Sequence, residues 1–247
     1  KLFSRLQSIS IDQYGEFEVY PNRDSLKYRN AYGIDDIPTM FRGTIRRPGY
    51  SRTWNYLVQL GATDDSFVIE NSENLTYRDF TNSFLKYNKV KTVEEKFAEY
   101  LGIDPESFDM YKLRWLGLFR EEKIGLKKAT PAQILQKLLE SKWSLDPDDK
   151  DMIVMQHDFE YEKNKKFYKI LSSMVVEGKN NVDTAMAITV GLPVAIGCKL
   201  ILNGKITASG VQIPTASTIY DPILDELARH NIVFEETEKE IPEPNGE

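Results

Sequence analysis

Ile153-Val154-Met155-Gln156-His157-Asp158-Phe159-Glu160-Tyr161 is the segment from which the fold class follows. Ile153, Met155, His157, Phe159 and Tyr161 alternate with polar Gln156, Asp158 and Glu160, and a period of two predicts a strand. The polar turn Lys163-Asn164-Lys165-Lys166 then leads into residues 167–176, which predicts a β-hairpin. The preceding hundred residues read as helices. Trp54, Leu57, Val58 and Leu60 suit an amphipathic helix ending at Gly61. Thr92-Val93-Glu94-Glu95 is a capping box, and Asp104-Pro105 and Thr130-Pro131 each place a capping residue before a proline, with Gln133 completing the second. Ile134, Leu135, Leu138 and Leu139 have the 3.6-residue period of one helix face. Before residue 51 strands return: residues 16–20 alternate, Pro21-Asn22-Arg23-Asp24-Ser25 has turn chemistry, and residues 39–46 read as a strand stopped by Pro48-Gly49. Asp24 or Ser25 is expected to cap a helix over 26–32 that Gly33 ends. Strands on both sides of a helical middle predict a discontinuous, mixed-sheet α/β domain, 1–50 plus 148–247, with an inserted all-helical domain, 51–147.

The hairpin is followed by residues 184–202, almost without charge. Their length approaches the roughly 20 apolar residues that span a bilayer. Lys199, Thr189, Gly191, Gly197 and Pro193 favour a buried helix kinked or broken at Pro193 instead. Residues 221–230 read as an amphipathic helix, 232–234 as a last short strand, and the acidic tail from Glu235 as mobile.

The whole chain has 247 residues, a net charge of -6 and one cysteine. The acidity argues against non-specific nucleic-acid binding, and a lone Cys198 excludes a disulfide framework or a multi-thiolate zinc site. Lys1 opens the sequence in place of an initiator Met, which predicts a piece of a longer polypeptide.

Against this acidic background Arg23, Arg42, Arg46 and Arg47 cluster. Arg42, Thr44 and Arg46 are spaced to share one strand face, a suitable arrangement for a ligand with several carboxylates or phosphates. Pairing with Asp24, Asp35 or Asp36 is the open alternative. Gly43 and Gly49 would let backbone approach a ligand closely. There is no Gly-x-Gly-x-x-Gly and no phosphate-loop lysine. His157 is expected in the core, His230 near a helix end, and Cys198 as a buried small hydrophobe. Asp24 and Asp158 are conceivable general bases but read as solvated acids. These features alone leave a binding module and a partial enzyme both open.

Tyr20-Pro21-Asn22-Arg23-Asp24-Ser25 and Arg42-Gly43-Thr44-Ile45-Arg46 resemble the C-terminal part of saccharopine dehydrogenases of the glutamate-forming type, and the dehydrogenase half of aminoadipate semialdehyde synthases. The resemblance continues through Trp115-Leu116-Gly117-Leu118-Phe119, Asp151-Met152-Ile153-Val154-Met155, Ala185-Met186-Ala187-Ile188-Thr189-Val190-Gly191-Leu192-Pro193 and Tyr220-Asp221-Pro222-Ile223-Leu224. Val211-Gln212-Ile213-Pro214-Thr215-Ala216 departs from the family's loop before the last helix, so a carboxylated polyamine intermediate stays an alternative substrate. The resemblance implies a substrate-binding α/β domain with its helical insertion, from an enzyme of lysine metabolism that interconverts saccharopine with L-glutamate and aminoadipate semialdehyde. It implies NAD or NADP held by a preceding Rossmann domain, with no cofactor, catalytic or metal site in this chain. Arg23, Thr44, Ile45 and Arg46 are the implied saccharopine contacts, supported by Asn22 and Arg42. No nucleic acid or membrane is expected as partner, and a homodimer is left open. The implied location is cytoplasmic, or mitochondrial for the bifunctional animal type. A non-catalytic interaction or dimerisation module of the same fold is the competing reading.

Overall fold

A computed structural model describes residues 2–22 and 24–243. After a 3₁₀ turn at Leu2–Ser4, the elements are β1 (Gln7–Ile11), β2 (Gly15–Pro21), α1 (Tyr28–Tyr32), β3 (Gly43–Arg46), α2 (Tyr50–Leu60), β4 (Ile69–Glu70), α3 (Tyr77–Ser83), α4 (Val93–Leu101), α5 (Phe108–Leu116), β5 (Lys128–Ala129), α6 (Pro131–Trp143), β6 (Met152–Lys163), β7 (Lys166–Glu177), α7 (Ala185–Leu202), α8 (Ser217–Ala228) and β8 (Glu235–Ile241). Residues 1–24 and 41–144 form one compact unit, and residues 25–40 and 145–247 form another.

The sequence predicts a mixed sheet, whereas every described strand pair is antiparallel. The strands form three small sheets ordered β1-β2-β3, β4-β5 and β6-β7-β8. Tight connections explain two of the pairs, because parallel pairing needs a crossover of a dozen or more residues. In the first unit β1 turns into β2 across residues 12–14, and Phe17 and Val19 are buried on β2. The helices hold a separate apolar cluster built on Phe80, Phe97, Met110, Leu113, Ile134 and Leu138.

Two predicted capping boxes are present. Thr92 accepts from the Glu95 N–H at α4 and Thr130 from the Gln133 N–H at α6, and each partner side chain accepts from the backbone N–H of its threonine. Thr76 and Asp79 make a third at α3. Asp104 does not cap α5. It makes a turn, its carboxylate accepting from the Glu106 N–H at 2.9 Å, and Ser107 caps the helix one turn later. A short acidic side chain bonded to its own downstream backbone competes in this way with helix initiation. Between residues 51 and 147 the regular elements are α2 to α6, a 3₁₀ turn at Ser72–Asn74 and the two-residue ladder of β4 with β5, joined by turns and loops, with a single bridge between Thr76 and Lys123.

In the second unit β6 and β7 form the predicted hairpin. Asn164 and Lys165 both have positive φ (54° and 62°), the backbone that a two-residue type I′ turn requires. Met174, with Ile153 and Val176 beside it, packs on Ile196 and Leu200 of α7 and Leu227 of α8. Further along the same sheet face His157 is exposed instead of buried, stacking on Phe159 at 6.0 Å and tilted against Phe234 at 5.3 Å. α1 starts later than expected, with Lys27 at its N-cap and no side-chain cap, and Gly33 closes it in the left-handed region as predicted.

α7 also differs from expectation. It runs through Pro193 unbroken, and Met186, Val190, Val194, Ile201 and Cys198 are exposed. Among the described residues it is the one helix long and apolar enough to cross a membrane, with mean hydropathy 2.0. Its start is held from outside: the Ala185 and Met186 N–H groups donate to the Asp151 carboxylate at 2.5 and 2.9 Å, and Thr184 accepts from Ala187. Gly178 makes room for this, since a Cβ there would lie 2.2 Å from Asp151 Oδ1. α8 begins at Ser217, four residues before the predicted start.

The acidic tail is a strand, not a mobile end, as far as residue 241. β8 covers the open edge of β7, pairing Phe167 with Ile241 through Ser173 with Glu235. Its acids match β7: Lys166 bonds Glu240 at 2.9 Å and Ser172 donates to Glu236 at 2.9 Å. Opposite side chains across an antiparallel pair explain why a segment rich in glutamate is ordered here. The new edge it presents is charged, which discourages further strand addition.

Candidate functional site

The residues singled out from sequence converge on the β2–β3 pair. Register places Glu18 opposite Arg46, Val19 opposite Ile45, Tyr20 opposite Thr44 and Pro21 opposite Gly43. Residues that face each other across an antiparallel pair share a side of the sheet. Glu18, Tyr20, Thr44 and Arg46 are therefore on one face, and Val19 and Ile45 are on the other. The ladder extends one step further, because the Asn22 N–H donates to the Arg42 carbonyl at 2.8 Å. Asn22 and Arg42 are both exposed beside that bond. Ile45 differs from its neighbours: its side chain points away from the Thr44 and Arg46 face. Arg23 lies outside the described residues.

Gly43 is a steric requirement. A Cβ at this position would lie 2.2 Å from Val19 Cγ1 and 2.9 Å from the Phe41 ring. Gly49 has a different reason, a φ of 87° at the N-cap of α2.

The two adjacent arginines do separate work. Arg47 lies over the Phe17 ring at 4.4 Å and donates to the Tyr14 carbonyl at 2.9 Å, so it covers the buried side of β2. Arg46 is exposed. It donates to its neighbour's carbonyl, Ile45 O, at 2.8 Å, and its guanidinium lies 5.3 Å from the Tyr50 ring centroid. Among the described residues neither forms an ion pair, so for these two the surface-acid alternative is set aside.

Glu18 would be the natural partner of Arg46, but its carboxylate is engaged elsewhere. The Gly49 and Ser51 N–H groups donate to it at 2.8 and 2.5 Å. A carboxylate there satisfies donors left open at the start of α2 and complements the helix dipole. α2 is also anchored further along. Asp109 of α5, 3% exposed, accepts from Arg52, from Thr53 at 3.0 Å and from Lys112 at 3.3 Å. Burial pushes the Asp109 carboxyl up, yet the hydrogen bonds from Arg52 and Thr53 and the Arg52 charge outweigh it and hold the group below the usual range.

The face thus carries an exposed guanidinium and a hydroxyl two residues apart, about 7 Å along the strand. Such a pair can anchor one carboxylate through a charged fork and bond a second polar group of the same ligand. The acid on this face, Glu18, is bonded to the Gly49 and Ser51 N–H groups. Among the described residues no three His, Cys, Asp or Glu side chains are placed to hold a metal. The strand-to-helix turns at 47–49 and 178–184 lack the triple-glycine pattern.

The family described as the saccharopine dehydrogenase C-terminal domain matches residues 1–233. The chain belongs to that family. Among curated relatives it is 34% identical over 227 residues to the mitochondrial alpha-aminoadipic semialdehyde synthase of Mus musculus, covering 88% of this chain and 24% of that protein. It is 28% identical over 229 residues to the NADP(+), L-glutamate-forming saccharopine dehydrogenase of Schizosaccharomyces pombe, covering 89% of this chain and 51% of that protein. Apo saccharopine dehydrogenase (L-Glu forming) from Saccharomyces cerevisiae has a similar structure, with a TM-score of 0.83, 28% identity, and coverage of 97% of this chain and 55% of that one. The chain thus spans about a quarter of the mouse relative and about half of the fungal saccharopine dehydrogenases.

Two participants escaped the sequence reading. Glu18 looked like any polar residue on an alternating strand. Tyr50 stood directly after the Pro48-Gly49 stop, where its spacing of four from both Arg46 and Trp54 was the available signal.

Proposed function

We propose that this chain is the saccharopine-binding part of a saccharopine dehydrogenase of lysine metabolism, with residues 1–50 and 148–247 binding substrate and 51–147 inserted between them. The observation that carries this reading is the Arg46 guanidinium, exposed on the same face as Thr44 and without a carboxylate partner among the described residues because Glu18 is bonded to the start of α2. Saccharopine has three carboxylates around a secondary amine. Arg46 would hold one of them and Thr44 would bond a polar group beside it, with Arg23, the Ile45 backbone, Asn22 and Arg42 completing the contacts. Holding the substrate by its carboxylates orients the carbon next to the amine, and a substrate lacking one leaves a guanidinium unpaired.

The overall reaction is oxidative cleavage of saccharopine to L-glutamate and aminoadipate semialdehyde, or its reductive reverse. NAD or NADP supplies the redox chemistry from outside these residues, and the role of this chain is binding and orientation. The enzyme would be cytoplasmic, or mitochondrial if it is of the bifunctional animal type. The experiment is an assay of the full-length polypeptide carrying this chain, with the 247-residue chain alone as control. Saccharopine-dependent NAD(P) reduction with glutamate release is expected from the first and neither turnover nor NAD(P) binding from the second. Turnover by the isolated chain, or none by the full-length protein, would contradict the reading.

A further inference from the structure

We infer that Tyr50 is the positioning residue for Arg46, holding its guanidinium over a ring that is itself braced by Trp54 and Trp143. This rests on the reading of Arg46 as a substrate-carboxylate anchor and goes one step beyond it.

Arg46 ends a strand and its side chain is exposed, so without a brace its guanidinium would sample many rotamers. Fixing such a side chain costs rotamer entropy, which a ligand would otherwise have to supply. The structure shows the brace. The guanidinium lies 5.3 Å from the Tyr50 centroid, within reach of a cation–ring attraction. Tyr50 stacks on Trp54 at 5.8 Å with planes 11° apart, and Trp54 stacks on Trp143 at 6.1 Å. The stack joins the end of β3 to the first turn of α2 and to the last residue of α6. At its far end Trp54 and Trp143 line an apolar cleft of about 450 Å³.

Tyr50 is fixed at its base as well. Its neighbours Gly49 and Ser51 are the two residues whose N–H groups donate to Glu18, so the backbone on each side of the tyrosine is pinned to β2. Burial raises the Tyr50 phenol, against a lowering by a hydrogen bond and charge from Arg46, and the net shift is upward. The phenol therefore stays protonated at neutral pH, and no phenolate competes with a substrate carboxylate for the guanidinium. Tyr50 thus orients Arg46 without neutralising it.

The test is a double-mutant cycle in the full-length protein, measuring KM for saccharopine, KM for NADP and kcat. Tyr50→Leu is expected to raise the saccharopine KM about two- to fivefold, the range of an exposed cation–ring contact, with kcat and the NADP KM nearly unchanged. In an Arg46→Ala background the same substitution should have no further effect. Tyr50→Phe keeps the ring and should stay within twofold of wild type, which also covers the case in which the leucine variant fails to fold. An equal effect of Tyr50→Leu with and without Arg46 would overturn the proposal, as would a phenylalanine variant as impaired as Arg46→Ala. A wild-type KM in Arg46→Ala would remove the underlying reading of Arg46 and the proposal with it. A raised KM in Arg46→Ala beside a wild-type KM in Tyr50→Leu would remove the tyrosine's role alone.

Discussion

Glu18 and Arg46 face each other across the β2–β3 pair, yet Glu18 gives its carboxylate to the Gly49 and Ser51 N–H groups. The two charges are neighbours in the sheet and are put to different uses. One builds the turn into α2, and the other is left available on the same face.

Replacing Glu18 with Ala should therefore damage both functions. Loss of the cap is expected to cost about 1 kcal/mol, read as a lower denaturation midpoint with unchanged slope. The saccharopine KM of the full-length protein should rise as well, because Tyr50 loses its fixed backbone. A stable variant with wild-type KM would separate Glu18 from the site.

Asp109 predicts a pH dependence. Burial pushes its carboxyl up, but Arg52 and Thr53 hold it below its ordinary value of 3.8. The folded state thus binds this proton less readily than the unfolded chain. The resulting stability is complete above the unfolded pKa and is lost as pH falls below about 3.8 through the folded value. Asp109→Asn should remove that part of the acid limb in thermal melts between pH 5 and 2 and cost about 2 kcal/mol at neutral pH. An identical acid limb in wild type and variant would contradict this.

Gly43 predicts a steric coupling. Gly43→Ala would overpack the face where Val19 lies 2.2 Å from the new Cβ, an effect worth roughly 1–3 kcal/mol. Combining it with Val19→Ala should cost less than the sum of the two single changes, since the smaller side chain makes room. Simple additivity in urea melts would show that the crowding is relieved elsewhere.

The sequence made some of this legible and concealed the rest, for identifiable reasons. Capping boxes at Thr92 and Thr130 were readable because both partners are three residues apart, and the hairpin at 163–166 because turn and alternation are local. Thr44 and Arg46 could be put on one face by counting. What pairs at long range could not. Glu18 binds the backbone of residues 49 and 51, Asp151 the start of α7, and Arg47 the Phe17 ring. The strand at Glu235–Ile241 was hidden because its acids suggest disorder until the lysines and the serine of β7 are seen opposite them. His157 kept the alternation of a core residue although it is exposed, its ring set against Phe159 and Phe234.

The most direct measurement is the saccharopine KM of full-length Arg46→Ala protein, with the NADP KM measured beside it. A rise in the saccharopine KM, or a fall in kcat/KM, of about tenfold or more, at an unchanged NADP KM, is predicted, equivalent to about 1.4 kcal/mol of lost substrate interaction. Wild-type values for both substrates would contradict the assignment of this face to the substrate.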